Sequence, residues 1–270
     1  MRAQVRPTVR PEVRRQVRAA RLGAAASGPG RDDVRPAQFR AMLMPDPRPD
    51  IQEAERQFRL RQAVERLMDV LEEFAEQGRP PMADLLGDGP FLEWAHYPED
   101  DLSDAGSGVV VFYHAHSQED RPAAENGHFH CFVEASRVRS GARAIRKEAA
   151  KTLRPLCHLV GLSIDRHGIP SEVFTTNQWV TGERLYAGRD VVPLLAQFAA
   201  ISEDAPPILR WVSAIVTLFE PQIETLLRAR DLQLGLDRPG ARARSDDRTL
   251  DVVAARRIDI GRRIDAVMGD

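Results

Sequence analysis

The sequence predicts an α+β fold, in which an antiparallel sheet of about four strands (residues 108–180) packs against N-terminal and C-terminal helices. An apolar pattern of helical period opens the body of the chain, and helical periods return from residue 187 onward. Between them lie four strand-like runs with no helical segment long enough to be a crossover. This order of elements is typical of an antiparallel sheet with its helices set apart from it.

The chain begins with a basic segment that differs in composition from the rest. Residues 1–48 hold eleven arginines and four acidic residues, whereas the whole chain has a formal net charge of −2. Six prolines and few apolar residues predict a disordered tail that could contact an acidic partner. No recognised nucleic-acid module accompanies it, so nucleic acid is not the expected partner. We expect residues 49–270 to form one domain, with a histidine-rich sheet at about 90–185.

Each element of this domain has its own sequence signal. Apolar residues from Phe58 to Phe74 recur at helical spacing, and the sequence after Gly78 stops the helix. Residues 87–107 read as a loop, and residues 136–155 as a surface helix or a long excursion. Helices are expected in the C-terminal part, including one over 249–268. The four strands are the runs GVVVFYHAH, HFHCFVEA, CHLVGLSI and SEVFTTNQWVT.

Composition excludes several classes of protein. No apolar run approaches the 18 residues of a membrane span, and the first twenty residues lack the apolar region of a secretory signal. The only cysteines, Cys131 and Cys157, lie in apolar strand-like runs and are expected to be buried free thiols. A cytoplasmic location fits these features. The sequence also lacks a P-loop, a G-x-S-x-G elbow and an H-E-x-x-H motif.

The stretch from Gly108 to Glu134 holds four of the seven histidines, as two His-x-His pairs. Residues two apart share a face of a strand, so each pair points one way. If the two strands pair with His116 opposite His128, then His114 faces His130. All four imidazoles would then converge on one face of one hairpin.

Such a cluster predicts a metal site formed by His114, His116, His128 and His130. Neutral imidazole is the commonest metal ligand among side chains, and an all-nitrogen set suits a divalent transition metal such as Zn, Fe, Cu, Mn or Ni. Seven further residues are candidates to add a ligand or to orient one: His96, Glu119, Glu125, Glu134, His158, Asn177 and Gln178.

Three functions agree with these residues. The first is a metal-dependent enzyme that acts on a small polar molecule, with three histidines and an open coordination position. The second is a sensor or carrier that binds metal without turnover. The third is a metal-free pocket for a polar ligand. The sequence assigns no catalytic residue, metal, substrate or oligomeric state.

Two known families share part of the histidine pattern. Gly108-x5-His114-x-His116-x2-Glu119 resembles the first motif of cupins, and that resemblance would make His114, His116 and Glu119 ligands in a many-stranded barrel. The run His128-Phe-His130-Cys-Phe resembles two thirds of the motif of the histidine-triad nucleotide hydrolases and transferases, which implies a nucleophilic histidine.

A longer pattern covers about residues 90–185. The fragments HYP, YHAH, GHFHCFVEA, HLVGLSID and FTTNQWVT together are similar to an uncharacterised bacterial family of unknown function. This resemblance implies a family and carries no mechanism.

Overall fold

The computed structural model describes residues 51–87, 91–117, 119, 125–149, 152, 154–236, 244–245 and 247–269. The basic tail, and the prediction that it is disordered, lie outside these residues. Within the described part of the chain, no helix is both long and apolar enough to cross a membrane.

The described residues form an α+β fold, as the sequence predicts. The helices are α1 (Ile51–Glu76), α2 (Pro81–Leu86), α3 (Gln178–Thr181), α4 (Gly188–Val191), α5 (Ala196–Ala199), α6 (Pro207–Leu218), α7 (Glu220–Leu234) and α8 (Ile260–Met268), with 3-10 turns at Ala135–Arg137 and Val192–Leu195. The strands are β1 (Tyr97–Asp104), β2 (Val109–His114), β3 (Glu125–Glu134), β4 (Leu156–Asp165), β5 (Pro170–Thr176) and β6 (Val252–Arg257).

The strands form one antiparallel meander in the order β1-β2-β3-β4-β5-β6. Four of them, β2 to β5, correspond to the four predicted runs. The sheet therefore has six strands among the described residues rather than about four. It is open, with β1 and β6 at its edges, and does not close into the barrel that the cupin resemblance implied.

The two additional strands lie at the edges, where the sequence signal is weakest. β1 was expected to be a loop, but Tyr97 and residues 102–104 pair with β2, while all its side chains remain exposed or half-exposed. β6 was expected to be helical, but it pairs with β5 and buries only Val253. An edge strand has one neighbour and little burial, so it lacks the apolar alternation that identifies a strand. Helix α8 follows β6, capped by the Asp259 side chain.

Residues 138–149 form an excursion without a regular helix, and residues 178–181 form a single helical turn instead of continuing β5. Asn177 starts that turn, because its side chain accepts a hydrogen bond from the backbone N–H of Gln178 at 2.8 Å. An N-cap side chain usually accepts from the second or third N–H of the helix, so Asn177 caps this short turn one residue earlier than is usual.

One face of the sheet packs against helices and forms the main core. Val109, Val111 and Tyr113 of β2 point to this face, and the cross-strand partner of Tyr113 is Phe129 of β3. The Phe129 ring contacts Trp211 of α6 at 6.1 Å between ring centroids. Helix α6 packs on α1, while α7 packs against β5 and β6. The apolar residues that alternate along β2 and β3 thus place their histidines on the opposite face.

Candidate metal centre

The register of β2 and β3 places His114 directly opposite His128 and Phe112 opposite His130. The predicted register, with His116 opposite His128, is therefore wrong by two residues. A shift of two residues leaves every side chain on its predicted face, because the side chains of a strand alternate with a period of two. The Nε2 atoms of His114 and His128 are 2.8 Å apart.

His130 completes a group of three imidazoles on this face. Its ring centroid lies 5.1 Å from that of His114 and 4.9 Å from that of His128. One potential ligand nitrogen of each residue lies within 4.8 Å of those of the other two. His128 and His130 are buried and His114 is half-buried. The three histidines lie close enough together to hold a metal ion.

The spacing of these nitrogens agrees with shared coordination. Two imidazole nitrogens that bind one ion at about 2.1 Å lie roughly 3.0 Å apart at a right angle and roughly 3.4 Å apart in a tetrahedral site. The His114 and His128 Nε2 atoms, at 2.8 Å, are within a few tenths of an ångström of the first value. The third nitrogen would need to approach the pair, since the group extends to 4.8 Å.

His116 lies beyond the end of β2 and outside this group of three. Its ring centroid is 5.1 Å from those of both His114 and His128. The ring is half-buried and stacks on Trp94, with centroids 4.2 Å apart and planes 19° apart. All four histidines of the two pairs therefore lie on one side of the sheet, with His116 nearest the exposed Trp94.

Glu125 binds the second ring nitrogen of His128. Its Oε1 lies 2.6 Å from His128 Nδ1, and its Oε2 accepts a hydrogen bond from the Ser163 hydroxyl at 3.1 Å. A carboxylate in this position favours the tautomer with the proton on Nδ1. The lone pair on Nε2 then faces His114 Nε2, which lies within hydrogen-bonding distance. Ser163 is the β4 residue opposite His128, so β4 holds the carboxylate in place.

His158 binds the second ring nitrogen of His130. Its Nε2 lies 3.0 Å from His130 Nδ1, and its Nδ1 lies 3.2 Å from the Thr176 hydroxyl. His158 reaches this face because the β3–β4 register shifts between Cys131 and Phe132, which brings His158 opposite Phe132. Such a bulge redirects a side chain that simple alternation would place on the other face. His158 therefore orients His130 and is not within the group of three.

Burial keeps His114, His130 and His158 neutral. Desolvation, followed by the charges of the neighbouring histidines, lowers the pKa of His114 to about 3. Desolvation, then His128 and His158, holds the pKa of His130 well below its ordinary value. Desolvation, then Arg230, lowers the pKa of His158 to about 3. Neutral imidazole carries the free lone pair that a metal ligand requires.

Aromatic rings surround the three histidines. Phe112 lies 5.8 Å from His114 and 5.3 Å from His130 between ring centroids, and Phe174 lies 5.3 Å from His128. The Phe174 ring lies across Gly161 of β4, where a Cβ atom would overlap it. These rings give the three histidines apolar neighbours.

Two of the additional candidates lie on the outer side. His96 is exposed, stacks on Phe112 at 3.8 Å and has its Nδ1 3.1 Å from Asp101 Oδ1. Its ring centroid is 6.1 Å from that of His114. Glu119 is exposed in the connection between β2 and β3 and is not one of the residues that the structure groups with the three histidines.

The other three candidates have partners elsewhere. Glu134, at the far end of β3, forms an ion pair with Arg154. The Asn177 side-chain amide donates to the backbone carbonyls of Arg244 and Asp247, at 3.0 and 3.3 Å. The Gln178 amide donates to the carbonyls of Lys147 and Glu183, at 3.2 and 2.9 Å. Both amides hold loops to the end of β5 instead of contacting the histidines.

Sequence reasoning missed Ser163, Trp94 and the buried carboxyl of Glu183. The backbone N–H of His158 donates to Glu183 Oε2, while Glu183 Oε1 has no hydrogen-bond partner among the described residues. Burial raises the pKa of Glu183 to about 8. Strand alternation could have identified Ser163, because it lies two residues after Gly161 in β4 and therefore on the same face of the sheet. Trp94 lies in a loop, for which no pattern predicts a direction.

The fold and the cluster define an α+β protein with a histidine-rich site on the open face of an antiparallel sheet. Residues 61–258, well over half of the chain, match the family described as "Domain of unknown function (DUF6969)", and the chain belongs to that family. This agrees with the predicted membership of an uncharacterised family. No curated protein matches the chain, and no solved structure matches it.

Proposed function

We propose that this protein binds one divalent transition metal ion through His114, His128 and His130, and that the ion serves a metal-dependent reaction on a small molecule. The observation that carries the proposal is the convergence of three imidazoles within 4.8 Å, two of which have the other ring nitrogen bound by Glu125 or His158. Histidines that merely fill a sheet face have no need of a carboxylate on the nitrogen opposite the cluster.

Three protein ligands favour catalysis over a purely structural role. Structural zinc sites have four protein ligands, whereas catalytic sites have three and an open position. A bound ion would supply Lewis acidity, which lowers the pKa of a coordinated water and polarises a substrate oxygen. The chain itself contributes Glu125 to orient His128, His158 to orient His130, and aromatic walls that exclude bulk water.

A closed, non-catalytic site is the second candidate, and the position of His116 favours it. Its ring lies 5.1 Å from both His114 and His128, so a rotation away from Trp94 would bring a fourth imidazole to the ion. Four protein ligands would suit a metal sensor or carrier. The two functions therefore differ in whether His116 coordinates.

Titration of the untagged chain with Co²⁺, followed by visible absorption, tests both candidates. Three imidazole ligands predict saturation at one ion per chain, loss of binding in His114→Ala, and an almost unchanged spectrum and affinity in His116→Ala. Loss of affinity and a changed spectrum in His116→Ala would support the closed site instead. Wild-type protein that binds no Co²⁺ would leave a metal-free histidine network and contradict both.

Coordinated water gives a second measurement on the same protein. Water-proton relaxation in the Cu²⁺-loaded chain reports whether a bound water exchanges with solvent. The open site predicts enhanced relaxation that azide suppresses. Relaxation equal to that of a fully coordinated copper protein would contradict catalysis at this ion.

A further inference from the structure

Three large apolar side chains are exposed in the segment before β1, and one of them, Trp94, contacts the histidine cluster. We call Phe91, Leu92 and Trp94 the apolar rim; their exposed fractions are 43, 59 and 55%. They lie within residues 91–94, two residues before β1, and the Phe91 ring stacks on Tyr97. Exposed apolar residues that occur singly need no explanation, but a contiguous group next to a site indicates contact with a ligand.

Trp94 connects this rim to the histidines. Its indole stacks on His116 at 4.2 Å and stands at an angle of 66° to His114 at 6.4 Å between centroids. His128 and His130 are buried, whereas His114, His116 and His96 are at least partly exposed. The accessible side of the cluster is therefore the side on which Trp94 lies.

The backbone holds Trp94 in this place at the expense of conformational strain. Its φ is +67°, in the left-handed region that bulky side chains rarely adopt. Two hydrogen bonds fix the loop: Trp94 N–H donates to the Ala115 carbonyl at 2.9 Å, and Leu92 N–H donates to the Tyr97 hydroxyl at 2.6 Å. A strained residue with an exposed apolar ring contributes little to folding, and such residues cluster at ligand sites.

The surfaces that a ligand would meet here are mainly aromatic. Phe112, with His96 stacked on it at 3.8 Å, lies 5.8 Å from His114, and Trp94 stacks on His116. Among the described residues, the Glu125 carboxylate contacts one of the three histidines, and it is occupied by His128 and Ser163. Flat rings recognise flat rings through stacked and edge-to-face contacts, and they offer few groups for a ligand rich in hydroxyls.

We propose that the site takes a planar aromatic ligand, whose polar group coordinates the metal ion while its ring contacts Trp94. This inference rests on the proposed metal site and names the substrate class of that site. The ligand class is defined by two features: one metal-binding oxygen or nitrogen group, and an aromatic ring attached directly to it.

A pair of hydroxamates with the same metal-binding group tests this inference. Acetohydroxamate carries a methyl group and benzohydroxamate a phenyl ring, and calorimetry on the Zn²⁺-loaded full chain gives the affinity of each. We expect benzohydroxamate to bind about tenfold more tightly, beyond any difference seen with free Zn²⁺, because one aromatic contact of ordinary strength gives a factor of this size.

Trp94→Gly is the informative variant, since glycine accepts a φ of +67° without strain and removes the ring. We expect it to reduce the ratio of the two affinities to about one. Phe58→Ala, which removes an exposed ring from α1, is the matched control and should retain the wild-type ratio. Trp94→Leu provides a second test with a non-aromatic side chain of substantial size, and we expect the same reduced ratio.

The outcomes separate the two proposals. If wild-type protein binds acetohydroxamate but shows a ratio near one, or if Trp94→Gly retains the wild-type ratio, the aromatic ligand class is wrong and the metal site stands. If the chain takes up no Zn²⁺, the proposed metal site fails and the ligand class fails with it. If the loaded chain binds neither hydroxamate, the ion has no open position, so the catalytic role and the ligand class fail while metal binding stands.

Discussion

Each of the two buried histidines in the group of three has one ring nitrogen bound within the protein. Glu125 binds Nδ1 of His128, and His158 lies against Nδ1 of His130. The partners differ, because one is a carboxylate and the other a neutral imidazole. A carboxylate strengthens the donor character of the opposite nitrogen, so His128 is expected to be the stronger ligand.

Replacing Glu125 by glutamine tests this difference. Glu125→Gln keeps the size and hydrogen-bonding capacity of the side chain but removes its charge, so we expect metal affinity to fall about 10- to 100-fold. Competition with a chromophoric chelator measures the change. Glu119→Gln alters an exposed carboxyl in the β2–β3 connection and should bind metal like the wild type. Equal affinity in Glu125→Gln would mean that the carboxylate does not act on the ion.

The buried carboxyl of Glu183 predicts a dependence of stability on pH. Its pKa in the folded protein is about 8, above the value of 4.5 for an exposed glutamate. Between these values the folded protein retains a proton that the unfolded chain has lost. The free energy of unfolding therefore falls as the pH rises through this range, by at most about 1.4 kcal/mol per pH unit for one group.

Urea unfolding of metal-free protein at pH 6 and pH 8 measures this dependence. Glu183→Gln cannot ionise, so we expect it to lose less stability than the wild type between the two pH values. Glu148→Gln is the control: the hydrogen bonds from Arg184 lower the pKa of Glu148 to about 2, so this half-buried group does not titrate in the range. The same loss of stability in Glu183→Gln and wild type would show that Glu183 is not protonated in the fold.

At the scale of single residues, the sequence predicts the candidate metal ligands better than it predicts the side chains that orient them. The two His-x-His pairs identify His114, His128 and His130, because alternation along a strand is a local property. That Glu125 binds His128, while Glu119 and Glu134 do not, depends on the conformation of the connection and on Arg154. Neither the conformation of the connection nor the ion pair with Arg154 can be read from a short sequence pattern.

At the scale of elements, the pairing of β2 with β3 determines which histidines meet. The observed register opposes Tyr113 to Phe129 and Val109 to Val133 on the face toward the helices. Aromatic cross-strand pairs of this kind stabilise one register over another. The prediction aligned the histidines instead and was wrong by two residues, because imidazoles contribute less than the apolar face to the choice of register.

The bulge between β3 and β4 is a second feature that sequence alternation cannot show. Without it, His158 would share a face with Val160 and Leu162, which lie in the core. The register shift turns His158 toward His130. Bulges depend on both strands of a pair, so a single run of residues does not predict them.

Gly161 of β4 leaves space for the Phe174 ring beside the histidines. A Cβ at this position would overlap the Phe174 ring, which contacts His128. We expect Gly161→Ala to lower the free energy of unfolding by about 1–3 kcal/mol, the usual cost of overpacking, and to weaken metal binding by displacing the ring.

Thermal unfolding and metal titration of Gly161→Ala check both effects. Gly106→Ala is the matched control, because a Cβ there meets only Asp104 at an ordinary contact distance of 3.4 Å. A stable Gly161→Ala protein with wild-type metal affinity would mean that the Phe174 ring is not needed to shape the site.

At the scale of the whole molecule, the two faces of the sheet have separate roles. One face packs on α1, α6 and α7 through the apolar core, and the other bears the histidines and aromatic rings. Composition and order of elements predict this α+β division, since they need only the period of the apolar residues. The edge strands β1 and β6 are not predicted in this way, because they form strands through pairing with β2 and β5 rather than through their own apolar pattern.

The central claim is that this open face binds one metal ion through His114, His128 and His130, and elemental analysis tests it most directly. The untagged chain is loaded with Zn²⁺, freed of excess metal and compared with the His114→Ala/His130→Ala double variant and with His167→Ala, an exposed histidine in the β4–β5 turn. We predict one ion per chain in the wild type and in His167→Ala, and far less in the double variant. A content near zero in the wild type, or an equal content in the double variant, would contradict the claim.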